Sequence, residues 1–208
     1  IWAVFPTYGS QFRIENTFSG CFLGWNENFQ KHILDLNWFT PTFSKVVLYN
    51  SFKLGVIKTL DVDDDIQSFV PFDERFIMGG NGIPYGNALR GYPDNSIGPQ
   101  TASGQAVGGN SMGKVTTELR FPLSENPVIY VMAFGEMGNV WNSSKMSEPF
   151  YIDRNGPLSM KKSAGVGVRF FMPGIGKLGF DMGYGFDDIN GDGNPQGWEY
   201  TITFGQTY

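Results

Sequence analysis

Lys177-Leu-Gly-Phe-Asp-Met-Gly-Tyr-Gly-Phe-Asp187 alternates without a break. Leu178, Phe180, Met182, Tyr184 and Phe186 fall on one side. Lys177, Gly179, Asp181, Gly183, Gly185 and Asp187 fall on the other. Successive side chains of a β-strand point to opposite faces, so the segment reads as a strand with one apolar and one polar, glycine-rich face. Trp198 to Tyr208 repeats the pattern: Trp198, Tyr200, Ile202, Phe204 and Tyr208 oppose Glu199, Thr201, Thr203, Gly205 and Thr207. Working outward, the same period of two runs through Gln11–Leu23, Lys31–Phe39, Lys45–Ile57, Lys114–Phe121 and Lys161–Phe170. Val128–Trp141 is apolar on both faces except at Glu136. The pattern predicts eight strands and no helix.

The connections alternate too. Thr40–Ser44, Pro122–Pro127 and Met172–Gly176 are short; Lys58–Gly108, Asn142–Ser159 and Asp187–Gln196 are long. Long loops on one rim and tight turns on the other, joining strands of about 10 residues, are the pattern of an antiparallel transmembrane barrel. Hydrocarbon offers no hydrogen-bond partners, so a spanning sheet has to pair every backbone group by closing. Trp38, Trp198 and Tyr208 suit the aromatic girdles at the two membrane interfaces. A soluble β-sandwich would instead bury the apolar face as core. It would explain neither the loop alternation nor so many Gly, Thr and charged residues on one continuous face.

Composition agrees. The 208 residues include 28 Gly and 19 Phe, and only 17% are charged, which is aromatic-rich and charge-poor for a soluble domain. No run approaches a helical membrane span. The net charge of −5 argues against a nucleic-acid partner. One cysteine, Cys21, permits no internal disulfide. Ile1 does not open a signal peptide, so the chain is read as mature, trimmed or a fragment.

The connection from Lys58 to Gly108 is far longer than an ordinary loop. It carries Phe72, Phe76, Ile77, Met78, Ile83, Tyr85, Leu89, Tyr92 and Ile97, which are enough apolar groups to pack against something. Within it, Leu89-Arg90-Gly91-Tyr92 presents a fixed cation on a tight bend. These residues resemble a family. Arg75-Phe-Ile-Met-Gly-Gly80, Leu89-Arg-Gly-Tyr92 and Ser96-Ile-Gly-Pro99 look like the sixth extracellular loop of the BamA family of outer-membrane barrel-assembly insertases. Phe5-Pro-Thr-Tyr-Gly9, Glu118-Leu-Arg-Phe-Pro122, Phe134-Gly-Glu-Met-Gly-Asn-Val-Trp141 and Phe204-Gly-Gln-Thr-Tyr208 resemble its ninth, twelfth, thirteenth and last strands, in order.

The resemblance implies an all-β antiparallel transmembrane barrel of the bacterial outer membrane. Residues 1–208 would be the C-terminal eight of sixteen strands, with the loop 58–108 inserted in the lumen. The first barrel half and the POTRA domains would lie outside this sequence. It further implies that Arg90 pairs in the lumen with Glu118 and Glu136. The family's usual residue at position 136 is aspartate, so Glu136→Asp is expected to be tolerated. Residue chemistry agrees, because both glutamates fall on lumen-facing positions and a guanidinium carries five fixed donors.

The implied function is non-enzymatic: folding and inserting unfolded outer-membrane proteins through a seam at the last strand, Trp198 to Tyr208, with accessory lipoproteins and the lipid bilayer as partners. The alternatives are a related polypeptide-secreting translocator, a passive porin, and a calcium-stabilised soluble β-domain. Calcium enters because Asp188-Ile-Asn190-Gly-Asp192-Gly193, with Glu199 beyond, fits an EF-hand loop; Asp-Gly and Asn-Gly are equally the chemistry of a hairpin turn. Otherwise no cofactor is indicated. His32, the only histidine, projects towards lipid, Cys21 is read as inert, and Asp61–Asp65 as a solvated loop. Finally, the first and last strands are expected not to pair with each other, because an eight-stranded barrel has no room for the long loop.

Overall fold

In the computed structural model, residues 5–20, 28–59, 70–83, 86–142, 151–152, 159–172 and 176–205 are described. Eight strands form one antiparallel sheet: β1 (Gly9–Ser19), β2 (Phe29–Pro41), β3 (Val47–Thr59), β5 (Ser111–Glu125), β6 (Val128–Trp141), β8 (Lys161–Met172), β9 (Gly176–Gly185) and β10 (Gly197–Phe204). Each pairs with its neighbour in sequence, as in a meander. Two short elements escape the period-of-two reading. β4 (Gln100–Thr101) pairs with β7 (Tyr151–Ile152), and Phe72–Glu74 is a single 3-10 turn. Two or three residues are too few for alternation to show.

The faces divide as the sequence divides them. Phe12, Ile14, Phe18, Trp38, Leu119, Phe121, Phe180, Trp198, Tyr200, Ile202 and Phe204 are exposed on the outer face. Trp38 and Trp198 stand at opposite ends of their strands, as girdle residues do; Tyr208 and Cys21 lie outside the described residues, as do Asp61–Asp65. On the outer face, the Nδ1–H of His32 donates to Asn16 Oδ1 at 2.6 Å across the β1–β2 pair.

The opposite face carries the packing. Phe76, Met78, Leu89, Tyr92 and Ile97 of the long connection form one cluster with Phe29 of β2, Ile57 of β3, Met112 of β5 and Val140 of β6. The loop therefore lies inside the concave face and serves as its core. Met78 and Leu89 are wholly buried. Phe72 and Ile83 remain exposed, so the expectation of packing fails for these two side chains; Tyr85 lies outside the described residues. A second cluster, Phe39, Val47 and Tyr49 with Phe5, fills the short-turn end.

The sheet is open. Among the described residues β1 pairs only with β2 and β10 only with β9. Among the described residues no ladder joins the first strand to the last.

Candidate functional site

The loop reaches the wall of the sheet at Leu89-Arg90-Gly91-Tyr92. Gly91, at φ +87°, makes the bend, a conformation that costs glycine little. Its backbone lies directly against β9. A Cβ added at Gly183 would sit 2.7 Å from the Gly91 nitrogen, and one at Gly185 would sit 2.4 Å from the Gly91 oxygen. The small residues of the polar face of β9 are therefore the seat of the loop. On β8, a Cβ at Gly165 would strike the Phe134 ring at 2.6 Å, so this glycine leaves room for the ring beneath Arg90.

Arg90 then turns towards β5 and β6. Its Nη2 donates to Glu118 Oε1 at 2.6 Å and to Glu136 Oε1 at 2.8 Å. Its backbone N–H donates to Glu136 Oε2 at 2.8 Å. The guanidinium lies 3.7 Å from the centre of the Phe134 ring, within cation–π range. All three charged residues are buried. The strand register explains the convergence. Glu136 is opposite Thr116 and Phe134 is opposite Glu118, so the two glutamates are diagonal neighbours on one face. Two carboxylates so placed repel unless a cation joins them. Burial opposes the Arg90 charge; the nearby Glu136, Glu118 and Asp181 carboxylates overcome that and raise its pKa well above the ordinary arginine value.

The network is wider than the expected trio. Asp181 of β9 lies 3.6 Å from Arg90 Nη1 and is itself held by both terminal nitrogens of Arg169, at 2.8 Å each. Arg120 binds Glu118 Oε2 at 2.7–2.8 Å. It also stacks 4.0 Å from the Tyr49 ring, which ties the network to the second apolar cluster. Lys114 and Thr116 both reach Glu136 Oε1, at 3.1 Å. Asp181, Arg120, Arg169 and Lys114 were not picked out by sequence reasoning. The signal was present, since all four sit on polar faces at period two, but alternation does not say which strands adjoin which loop.

A second clamp holds the far side of the bend. The Tyr92 hydroxyl donates to the Lys162 carbonyl at 2.5 Å and accepts the Asp187 N–H at 3.3 Å. Burial raises its pKa further above the ordinary tyrosine value, so it is a neutral donor at all working pH. At the loop's root, Lys31 Nζ binds the Glu74 carbonyl and carboxylate at 2.9 and 3.0 Å. A cavity of about 290 Å³ lies beside Arg90, lined in part by Lys53, Lys114, Glu118, Arg169 and Lys177.

Comparison with known proteins bears on this geometry. The family model described as the Omp85 superfamily domain matches residues 3–207. The chain belongs to the Omp85 superfamily. Such proteins reside in the bacterial outer membrane, which agrees with the apolar outer face. This Omp85 chain is 26% identical over 204 residues to the outer membrane protein assembly factor BamA of Nitratidesulfovibrio vulgaris; the match takes in 98% of this chain and 23% of that protein. It also superimposes, with a TM-score of 0.73 and 22% identity, on the crystal structure of BamA from Haemophilus ducreyi lacking POTRA domains 1-3, covering 97% of this chain and 40% of that one. The Omp85 chain thus spans under half the length of either relative.

The remaining expected residues sit elsewhere in the Omp85 fold. Trp198, Tyr200, Ile202 and Phe204 line the outer face of β10, at the open edge. The calcium set is not gathered. Asp188 accepts the N–H groups of Gly191 and Gly193, at 2.6 and 2.7 Å. Asp192 accepts that of Asn194, at 2.9 Å. Asn190 Nδ2 and Glu199 Oε1 both face the Gln196 amide, at 3.5 and 2.9 Å. Among the described residues no three His, Cys, Asp or Glu side chains are grouped as a metal would need. These donors do not fit an ion; they fit a self-capped turn, the second meaning of Asp-Gly.

Proposed function

We propose that this chain is the seam-bearing part of an outer-membrane insertase, which folds and inserts β-barrel proteins by pairing their strands with the edge of β10. The observation that carries the reading is a sheet with an apolar outer face around a long loop held at its inner wall by Arg90. Gly205 N–H donates to Lys177 O of β9, and the register alternates. Residues 199, 201 and 203 therefore turn their backbone groups to β9 as well. Trp198, Tyr200, Ile202 and Phe204 turn theirs away, to the edge. In hydrocarbon each unpaired group costs several kcal/mol. Strand addition to an exposed edge is a general mode of recognition. The occupants would be residues outside 1–208 at rest and a substrate strand in action. No bond is made or broken, so the activity is non-enzymatic. Unfolded outer-membrane proteins, accessory lipoproteins and the bilayer are its partners. The named function of the BamA relatives and the Omp85 membership support the same reading.

Proline distinguishes the two sides of β10, because it removes one N–H. Ile202→Pro deletes an edge-facing donor and should leave the β9–β10 ladder intact. The variant protein should reach the membrane folded, by its heat-dependent gel mobility, yet fail to support assembly of outer-membrane proteins when the native copy is depleted. Assembly at the native level with Ile202→Pro would end the reading.

A further inference from the structure

Three carboxylates of the wall face the loop arginine, and each also has a cation of the wall's own. Arg120 of β5 binds Oε2 of Glu118, at 2.7–2.8 Å, and leaves Oε1 to Arg90. Lys114 of β5 binds Oε1 of Glu136, at 3.1 Å, and leaves Oε2 to the Arg90 N–H. Arg169 of β8 differs. Its two terminal nitrogens take both oxygens of Asp181, at 2.8 Å each. Arg90 is placed accordingly. Its Nη2 donates to both glutamates. Its Nη1 stands 3.6 Å from Asp181 Oδ1, too far for a hydrogen bond, and is left with the Met132 sulfur, a weak acceptor, at 3.9 Å.

The Arg169–Asp181 pair is seated by the register. Arg169 is opposite Gly179 and Asp181 is opposite Gly167, so the two side chains meet on a diagonal across two glycines. A Cβ at Gly167 would strike Asp181 Oδ1, and one at Gly179 would strike the Arg169 guanidinium. Both charged residues are buried.

We infer that Asp181 is a second seat for Arg90, closed while Arg169 holds it, and that Arg169 thereby fixes the loop on the Glu118–Glu136 seat. Coulomb attraction alone does not choose, because Arg90 is drawn to any of the three carboxylates. Asp181, gripped by a two-pronged arginine, has neither oxygen unbound. With Arg169 gone, a shift of under about 1 Å would bring Nη1 within hydrogen-bond distance of Oδ1. Arg169 is therefore a positioning residue, acting on the loop through Asp181. These groups lie on β5, β6, β8, β9 and the loop, so the selection does not depend on what β10 pairs with.

The test uses the full-length protein in detergent. Its measure is chymotryptic cleavage after Tyr92, which is buried while the loop is seated. Glu136→Gln weakens the first seat. In the native background it should speed cleavage about tenfold or more. In Arg169→Met, where Asp181 is open to Arg90, the same change should speed cleavage by a factor at least about fivefold smaller. In Arg169→Met/Asp181→Asn the second seat is gone, and the full acceleration should return. A purely structural Arg169 would shift the starting rates without altering what Glu136→Gln adds. Equal acceleration in all three backgrounds overturns the inference. Cryo-electron microscopy of Arg169→Met should place Arg90 Nη1 about 2.9 Å from Asp181 Oδ1; an unmoved Arg90 overturns the inference as well. Arg169→Lys, which frees one Asp181 oxygen as Lys114 does on Glu136, gives the same comparisons should Arg169→Met not fold.

Discussion

The long loop is gripped at Arg90 and merely touched at Asn81. At Arg90 it meets two glutamates, an aspartate and an aromatic face, all buried, on strands paired on both sides. At Asn81 its amide reaches the neutral Ile202 carbonyl, on a strand that pairs, among the described residues, with β9. The difference separates two duties. Losing one partner of a buried charge cluster leaves the others uncompensated in a medium that solvates them poorly. A lone neutral hydrogen bond can be exchanged for another at almost no net cost. The centre of the sheet therefore holds the loop in place.

The largest effect expected from breaking this contrast is Arg90→Ala. Glu118, Glu136 and Asp181 would share the wall with one fewer cation, at a loss of about 3–5 kcal/mol. The denaturation midpoint in detergent should fall, the loop should become protease-sensitive near Gly91, and assembly activity should drop. Native loop resistance and native activity together would refute the clamp. Gly183→Ala should follow at about 1–3 kcal/mol, because its Cβ would drive into the Gly91 backbone. Gly135→Ala is its control. Nothing lies within 4 Å of a Cβ there, so its midpoint should move by under about 0.5 kcal/mol. Equal effects from the two glycines would show that the loop seat contributes nothing. Glu136→Asp keeps the charge but shortens the reach to the Arg90 side chain and N–H. A loss of about 1 kcal/mol with activity retained is expected; loss of activity would mean the reach itself matters.

The smallest effect lies in the turn at Asp188, which is half-buried. Backbone N–H donors, that of Gly193 foremost, lower the Asp188 pKa against weak opposition from desolvation. A lowered folded-state value means the contribution is complete above the ordinary aspartate pKa of about 3.9 and fades as pH falls through the lowered one. Proteolysis within 186–196 should stay constant from neutral pH to about pH 5 and rise only in stronger acid. Calcium should change neither that proteolysis nor the melting curve, and a chelator-reversible shift would restore the ion site.

Much of this could be read from the residues. Lys177–Asp187 alternates so regularly that the strand and its two faces follow from it. Spacing alone does not show where an oxygen points; Asp188 turns inward to its own turn. Asp181 and Arg169 were invisible as partners for a different reason. They lie 91 and 79 residues beyond Arg90, and only the seating of Gly91 on β9 brings them near.

Period-two alternation determined the strands and which of their faces is apolar. It is a local property, fixed by the geometry of the extended chain and the two solvents it separates. The tertiary structure decided where the loop turns, which carboxylates converge on Arg90, and which backbone groups of β10 are left at the edge. Those depend on register and on how closely two backbones approach, and glycine records only that an approach is allowed, without naming the partner.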